Sequence, residues 1–183
     1  MLAFEDIVHA FEVPVFNLAY RMVNNRDDAA DVSQEIFVKL FRAIRQFRGE
    51  SKFSTWLFSL AANTCRSRLR RLRRISFFEA RHIDEERETD SGSRTRELPD
   101  PSDGPVRMME RGEMRHEIER AVAALQPDWR MVVVLRDLQG LRYEEIAGIL
   151  NCSVGTVKSR LSRARSKLKE RLIRKGLSCS AGK

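Results

Sequence analysis

The sequence predicts an all-α protein made of two small helical domains joined by a flexible linker. Three observations predict it. Apolar residues recur at three- and four-residue steps through both ends of the chain, no stretch shows the strict alternation of a strand, and a polar stretch with no apolar period separates the two ends. The boundaries read as 1–75 for the first domain, 76–107 for the linker and 108–183 for the second.

Phe4, Ile7, Val8, Phe11, Val15 and Leu18 mark the first helix, with a break or kink expected near Val13 because Pro14 removes a donor. Asn24-Asn25-Arg26 reads as a turn. Asp27, Asp28 and Asp31 then open a second helix, where carboxylates meet the positive end of the helix dipole. Its apolar stripe is Val32, Ile36, Phe37, Leu40, Phe41 and Ile44. After a loop at Phe47–Ser51, a third helix starts near Ser54, carries Trp56, Leu57, Leu60, Ala61, Thr64 and Leu72, and ends in the basic run Arg66 to Arg74. From Asp84 the chain turns acidic and polar, and Pro99, Pro101 and Pro105 follow, as in a linker. The helical pattern returns with Met114, Ile118, Val122 and Leu125 on one stripe. Gln126-Pro127-Asp128 reads as a turn that caps a helix from Trp129 to Leu138, which Gly140 stops. A short helix, Tyr143 to Leu150, a tight turn and a long basic helix from Val154 to about Arg174 complete the chain.

Charge narrows the function. The net +8 is divided as +5 over residues 1–75, −4 over 76–107 and +7 over 108–183. Two basic segments flanking an acidic one suit a polyanion such as nucleic acid, although a basic solvated surface would read the same way on composition alone. No apolar run is long enough for a membrane helix, and the start lacks a secretory pattern, so a cytoplasmic location is expected. Cys65, Cys152 and Cys179 form no C-x-x-C pair, and His9, His82 and His116 are scattered. Neither a disulfide framework nor a metal site is expected.

Residues 141–161 fit a helix-turn-helix. Ile146, Ala147 and Leu150 would pack inward, and Ser153 would cap the second helix. Phased at about 100° per residue, that helix turns Val157, Leu161, Ala164 and Leu168 to the core. Gly155, Ser159, Ser162, Arg163 and Ser166 fall on the opposite side, with Thr156, Lys158, Arg160, Arg165 and Lys167 on the flanks. Short polar groups around one Arg suit a major groove, with longer cations reaching phosphates at its edges. The expected DNA-reading set is Thr156, Lys158, Ser159, Arg160, Ser162, Arg163 and Arg165, with Arg163 as the base reader.

Val154 to Arg165 closely resembles the recognition helix of the extracytoplasmic-function (ECF) group of bacterial RNA polymerase sigma factors. Leu125-Gln126-Pro127 and Tyr143-Glu144-Glu145-Ile146-Ala147 are similar to the same domain, region 4, which in that family recognises the −35 promoter element. A helix-turn-helix alone would leave response regulators equally eligible, and the first domain decides. Asp28 to Phe37 resembles the helix by which region 2 grips core RNA polymerase. Phe53-Ser54-Thr55-Trp56-Leu57, Leu60-Ala61-Ala62-Asn63 and Arg70-Arg71 resemble the part that reads and opens the −10 element. The resemblance covers roughly residues 5–75 and 110–175. It implies core polymerase and promoter DNA as partners, and an anti-sigma factor that holds the chain inactive. One departure is Ser67, where family members often carry Asp.

The residues agree with what the resemblance implies. Asp31, Gln34 and Glu35 lie beside the apolar stripe as an acidic, hydrogen-bonding face for core polymerase, although ordinary surface polarity would produce the same pattern. Holding unstacked bases needs aromatic, amide and hydroxyl groups beside cations. Lys52, Ser54, Thr55, Trp56, Asn63, Arg66 and Arg70 supply those types for the −10 element. Trp56 suits the core equally well. Asn63 has no stabilising reason to sit in that helix. A regulator that never joins polymerase would need a receiver or ligand-binding domain, and residues 1–75 show no α/β pattern. A recombinase-like enzyme would need a catalytic constellation, and Ser54 has no His or carboxylate partner at a recognisable spacing. No catalytic residue and no cofactor are expected.

Overall fold

The computed structural model describes residues 4–80 and 105–176, with side chains over 4–75 and 114–176. The chain from Asp84 to Gly104, His82 and Cys179 lie outside the described residues. Three helices build the first unit: α1 (Phe4–Val23), α2 (Arg26–Ala43) and α3 (Phe53–Ala80). Four build the second: α4 (Pro105–Ala123), α5 (Pro127–Val133), α6 (Tyr143–Leu150) and α7 (Val154–Arg174). No strand occurs among the described residues.

α1 runs through Pro14 without the expected break. A proline inside a helix costs one hydrogen bond and some strain, about 3 kcal/mol. The apolar residues on either side outweigh that cost by packing into one core: Val15, Leu18, Ala19 and Met22 are buried after the proline, and Ile7 and Phe11 pack against the same cluster before it. The helix stops at Asn24, which adopts the left-handed conformation at φ 56°. Asn25 then caps α2, its side chain accepting a 3.0 Å hydrogen bond from the Asp28 amide. Two adjacent asparagines make this turn because Asn tolerates positive φ and also caps well.

The stripe of α2 is narrower than its sequence suggests. Ala29, Val32, Ser33, Ile36 and Leu40 are buried, but Phe41 is 63% exposed and makes an edge-on ring contact with Phe4, 5.1 Å between centroids. Phe41 follows Ile36 by five residues, roughly 140° around a helix, which turns it off the packed face. α3 begins at Phe53 and continues to Ala80, past the expected end of the first domain. Arginines are good helix formers, so the basic run does not stop it.

In the second unit, Val122 and Leu125 are buried as expected, while Met114 and Ile118 are 47% and 41% exposed. Among the described side chains of α4, the buried ones, Ala121 and Val122, lie at its C-terminal end. Asp128 does not cap α5. Pro127 occupies the first helical turn, Gln126 is the capping residue, and Gln126 makes no side-chain cap bond. The helix continues as a π-helical segment over Val134–Leu138, and Gly140 ends it at φ +68°.

The two units pack on one another, and their buried apolar residues form one contiguous cluster from Val15 to Ala164. At the junction Arg130 is buried. It donates hydrogen bonds to Met22 O at 2.5 Å and Leu125 O at 3.2 Å, and another to Ala123 O. These carbonyls close α1 and α4, where the helix dipole favours a cation. Burial, with Arg73 nearby, lowers the Arg130 pKa to about 10, so it stays charged at neutral pH.

Candidate nucleic-acid interface

α6 and α7 make the helix-turn-helix. Ile146, Ala147, Ile149 and Leu150 are buried on α6, and Val157, Leu161 and Ala164 on α7, with Leu168 half-buried. Asn151 carries the turn at φ 50°. Ser153 caps α7 as expected, accepting a 3.0 Å bond from the Thr156 amide, and its hydroxyl lies 2.9 Å from the Thr156 hydroxyl. At the start of α6 the Glu145 carboxylate accepts from the Arg142 amide at 2.8 Å, which holds its pKa below the ordinary carboxylate value, with Lys52 adding to the effect.

Across α7 from the buried stripe, Ser159, Ser162 and Arg163 are exposed, and Lys158 is exposed on the flank. Arg163 has no ion-pair partner among the described residues, which leaves its five donors available. Ser159 donates to the Thr156 carbonyl at 3.0 Å, so its hydroxyl is oriented along the helix. Lys158 lies 5.9 Å above the Tyr143 ring, whose face also meets Arg136 at 4.9 Å. The flank cations are held from within the chain: Arg165 pairs with Asp137 at 2.5 Å and Arg160 with Asp128 at 3.2 Å. Carboxylates in these places hold the guanidiniums through charge-assisted hydrogen bonds.

The first unit presents its residues on two elements. Asp31, Gln34 and Glu35 are exposed along α2. Glu35 forms a 2.6 Å ion pair with Lys39, whose ammonium also donates to the buried Thr64 hydroxyl at 3.2 Å. Arg68 bridges to Asp28 and approaches Asp31 at 4.0 Å, so α3 braces the acidic face of α2 from behind. Ser67, the departure from the family pattern, is exposed and accepts a 3.4 Å bond from Arg70.

Of the −10 set, Asn63 and Arg70 are exposed, and Ser54 is half-buried. Trp56 is half-buried in an aromatic cluster, 5.1 Å from the Phe47 ring and 5.9 Å from Phe53. It therefore serves the packing of the α3 start while keeping part of its surface open. Lys52, Thr55 and Arg66 face the second unit. Lys52 pairs with Glu145 at 3.3 Å, Thr55 donates to the same carboxylate at 3.5 Å, and Arg66 approaches Asp128 at 3.9 Å. Sequence reasoning missed Asp128, Arg130 and Glu145 as interdomain residues. Their partners lie far away in the chain, and no local pattern marks such pairings.

No group of three or more His, Cys, Asp or Glu side chains among the described residues is placed to hold a metal ion, and no described helix is long and apolar enough to cross a membrane. Cys65 is buried, which pushes its thiol pKa up to about 12 and keeps it unionised.

Comparison with known proteins agrees with this division. The family Sigma-70 region 2 matches residues 7–75, and Sigma-70, region 4 matches residues 115–168. The ECF RNA polymerase sigma-E factor of Escherichia coli K12 is 40% identical over 164 residues, which span 89% of this chain and 83% of that protein. The RNA polymerase sigma-H factor of Pseudomonas aeruginosa is 36% identical over 181 residues, spanning 93% and 86%. Two solved structures share the fold at 24% identity. The sigma factor RpoE, crystallised with the anti-sigma factor NepR from Bartonella quintana, superposes with a TM-score of 0.71 over 93% of this chain and 96% of its own. CnrH, solved with the cytosolic domain of CnrY, superposes with a TM-score of 0.62 over 93% and 88%. A region 2 bundle followed by a region 4 helix-turn-helix, with relatives of this identity along nearly the whole chain, places the protein in the extracytoplasmic-function family of sigma factors.

Proposed function

We propose that this chain binds core RNA polymerase in the cytoplasm and directs it to promoters, reading the −35 element with α7 and reading and helping to open the −10 element with α3. The carrying observation is the exposed row Ser159, Ser162 and Arg163 directly across α7 from the buried Val157, Leu161 and Ala164. A helix docked that way offers one unpaired guanidinium, framed by small groups, to base edges. In this reading Arg163 reads a base, and Thr156, Lys158, Arg160 and Arg165 position the helix on phosphates. Asn63 and Trp56 hold unstacked bases, with Ser54, Thr55, Lys52, Arg66 and Arg70 around them. Asp31, Gln34 and Glu35 meet core polymerase. The chain itself is no enzyme and uses no cofactor.

An anti-sigma factor is the proposed inhibitor. Support comes from the fold shared with RpoE, solved in complex with the anti-sigma factor NepR, and with CnrH, solved in complex with the cytosolic domain of CnrY. The test is reconstitution: purified chain and core polymerase are given fragmented genomic DNA of the source organism, and the transcripts are sequenced. Discrete start sites that require the chain support the reading. Transcription that is indifferent to the chain, or strand cleavage by the chain alone, overturns it.

A further inference from the structure

The −10 and −35 elements lie, by their names, about 25 base pairs apart, or roughly 85 Å of B-DNA at 3.4 Å per pair. In this structure one carboxylate spans residues assigned to both. Asp128 takes Arg66 on one oxygen at 3.9 Å and Arg160 on the other at 3.2 Å. A molecule in this arrangement cannot put Arg66 at one element and Arg160 at the other. The same junction occupies Lys52 and Thr55 with Glu145.

We propose that the structure is a self-closed state in which carboxylates of the second domain stand in for DNA phosphates on cations of both DNA-binding sets, so that the free chain is silenced before any partner arrives. The inference rests on the DNA-binding assignments proposed above. Asp128 and Glu145 are the decoys. The closure is held by groups outside those sets. Arg21 on α1 and Glu119 on α4 form a 3.0 Å ion pair, with side chains only 18% and 16% exposed. Gln139 donates to the Pro14 carbonyl at 3.3 Å, and Arg130 closes the ends of α1 and α4 together. Each decoy pair is partly exposed and weak alone. Presented together from one packed junction, they compete with phosphate as an intramolecular ligand at high effective concentration. Opening the junction releases Lys52, Thr55 and Arg66 together, while the pair of Arg160 with Asp128 lies within the second domain. That opening must precede simultaneous contact with both promoter elements.

The test breaks the closure away from the DNA-binding residues. Glu119→Arg sets two guanidiniums face to face, and the double variant Arg21→Glu/Glu119→Arg restores an opposite pair. Two readouts are taken on the full chain without polymerase: the radius of gyration by small-angle scattering, and affinity for a fluorescein-labelled random-sequence duplex. The single variant is expected to be larger and to bind about tenfold more tightly, the factor for a chain whose open fraction rises from roughly a tenth to nearly all. The double variant is expected to return to wild-type size and affinity. An unchanged affinity in an enlarged single variant, or a double variant that behaves like the single one, overturns the self-closed state. An unfolded single variant, seen by circular dichroism, moves the decision to Asp128→Asn, which keeps the closure and removes one decoy. Tighter duplex binding by that variant supports the proposal, and unchanged binding overturns it. Transcription from genomic fragments with core polymerase, run in parallel, reports on the sigma-factor reading separately. If no variant supports transcription, that reading fails, whatever the free chain shows.

Discussion

The guanidinium of Arg130 donates a 2.5 Å hydrogen bond to the carbonyl of Met22, joining α5 to the last turn of α1 across the two units. The same side chain closes α4 through Ala123 and Leu125. One buried cation thus satisfies carbonyls that would otherwise be left without partners at two helix ends.

Arg130→Lys tests this junction. An ammonium keeps the charge but lacks the planar fork that reaches several carbonyls at once. The variant is expected to lose about 1.5–3 kcal/mol, the usual worth of a hydrogen bond to a charged group, as a lower denaturant midpoint in urea unfolding.

Arg163→Ala is expected to reduce use of promoters through their −35 element by about 1–3 kcal/mol and to relax base preference there. Lys158→Ala, beside the Tyr143 ring, is expected to weaken binding across all sequences and to lessen its salt dependence. Binding titrations of the two variants over a set of promoter substitutions and several salt concentrations separate reader from positioner. Equal loss of sequence preference in both would contradict the division.

Asn63→Ala is expected to leave association with core polymerase intact and to impair promoter opening, read as permanganate reactivity of unpaired thymines. Glu35→Lys is expected to do the reverse. It also sets two ammoniums four residues apart on α2, because Glu35 now pairs with Lys39. Glu35→Gln, which avoids that repulsion, separates loss of the polymerase contact from loss of helix stability. Polymerase pull-down of both variants, with helix content as control, checks the assignment.

The Glu145 carboxyl titrates below its ordinary value of 4.5, first because the Arg142 amide donates to it and then because Lys52 faces it. A depressed carboxylate contributes stability that is in place above its unfolded value and is lost as pH falls through its lower folded value. The start of α6 and the Lys52 bridge are therefore expected to persist at pH 5 and to release only below the ordinary carboxylate range. The side-chain carboxyl shift of Glu145, followed by NMR against pH, is expected to show a midpoint below 4.5. A midpoint at or above it would mean that the capping bond and the bridge are absent in solution.

Much of the architecture was legible in the sequence because its causes are local. A 3.6-residue apolar period, Asn24-Asn25 at a turn, Ser153 ahead of α7 and Gly140 behind a helix each act within a few residues. The stripe of α7 was legible for the same reason, since phase around one helix decides which side chains face the core. Where neighbours decide, local pattern misled. Pro14 sits in an unbroken helix because the residues flanking it share one core, Phe41 and Met114 stay largely exposed although they continue an apolar stripe, and Asp128 leaves capping to meet arginines from two directions. The sequence by itself determined two helical units, their order and the faces they offer. Only the tertiary structure decided that these units pack together through Arg130, Glu145 and Asp128. Pairings between residues dozens of positions apart depend on how whole helices are placed, and a local period carries no record of that placement.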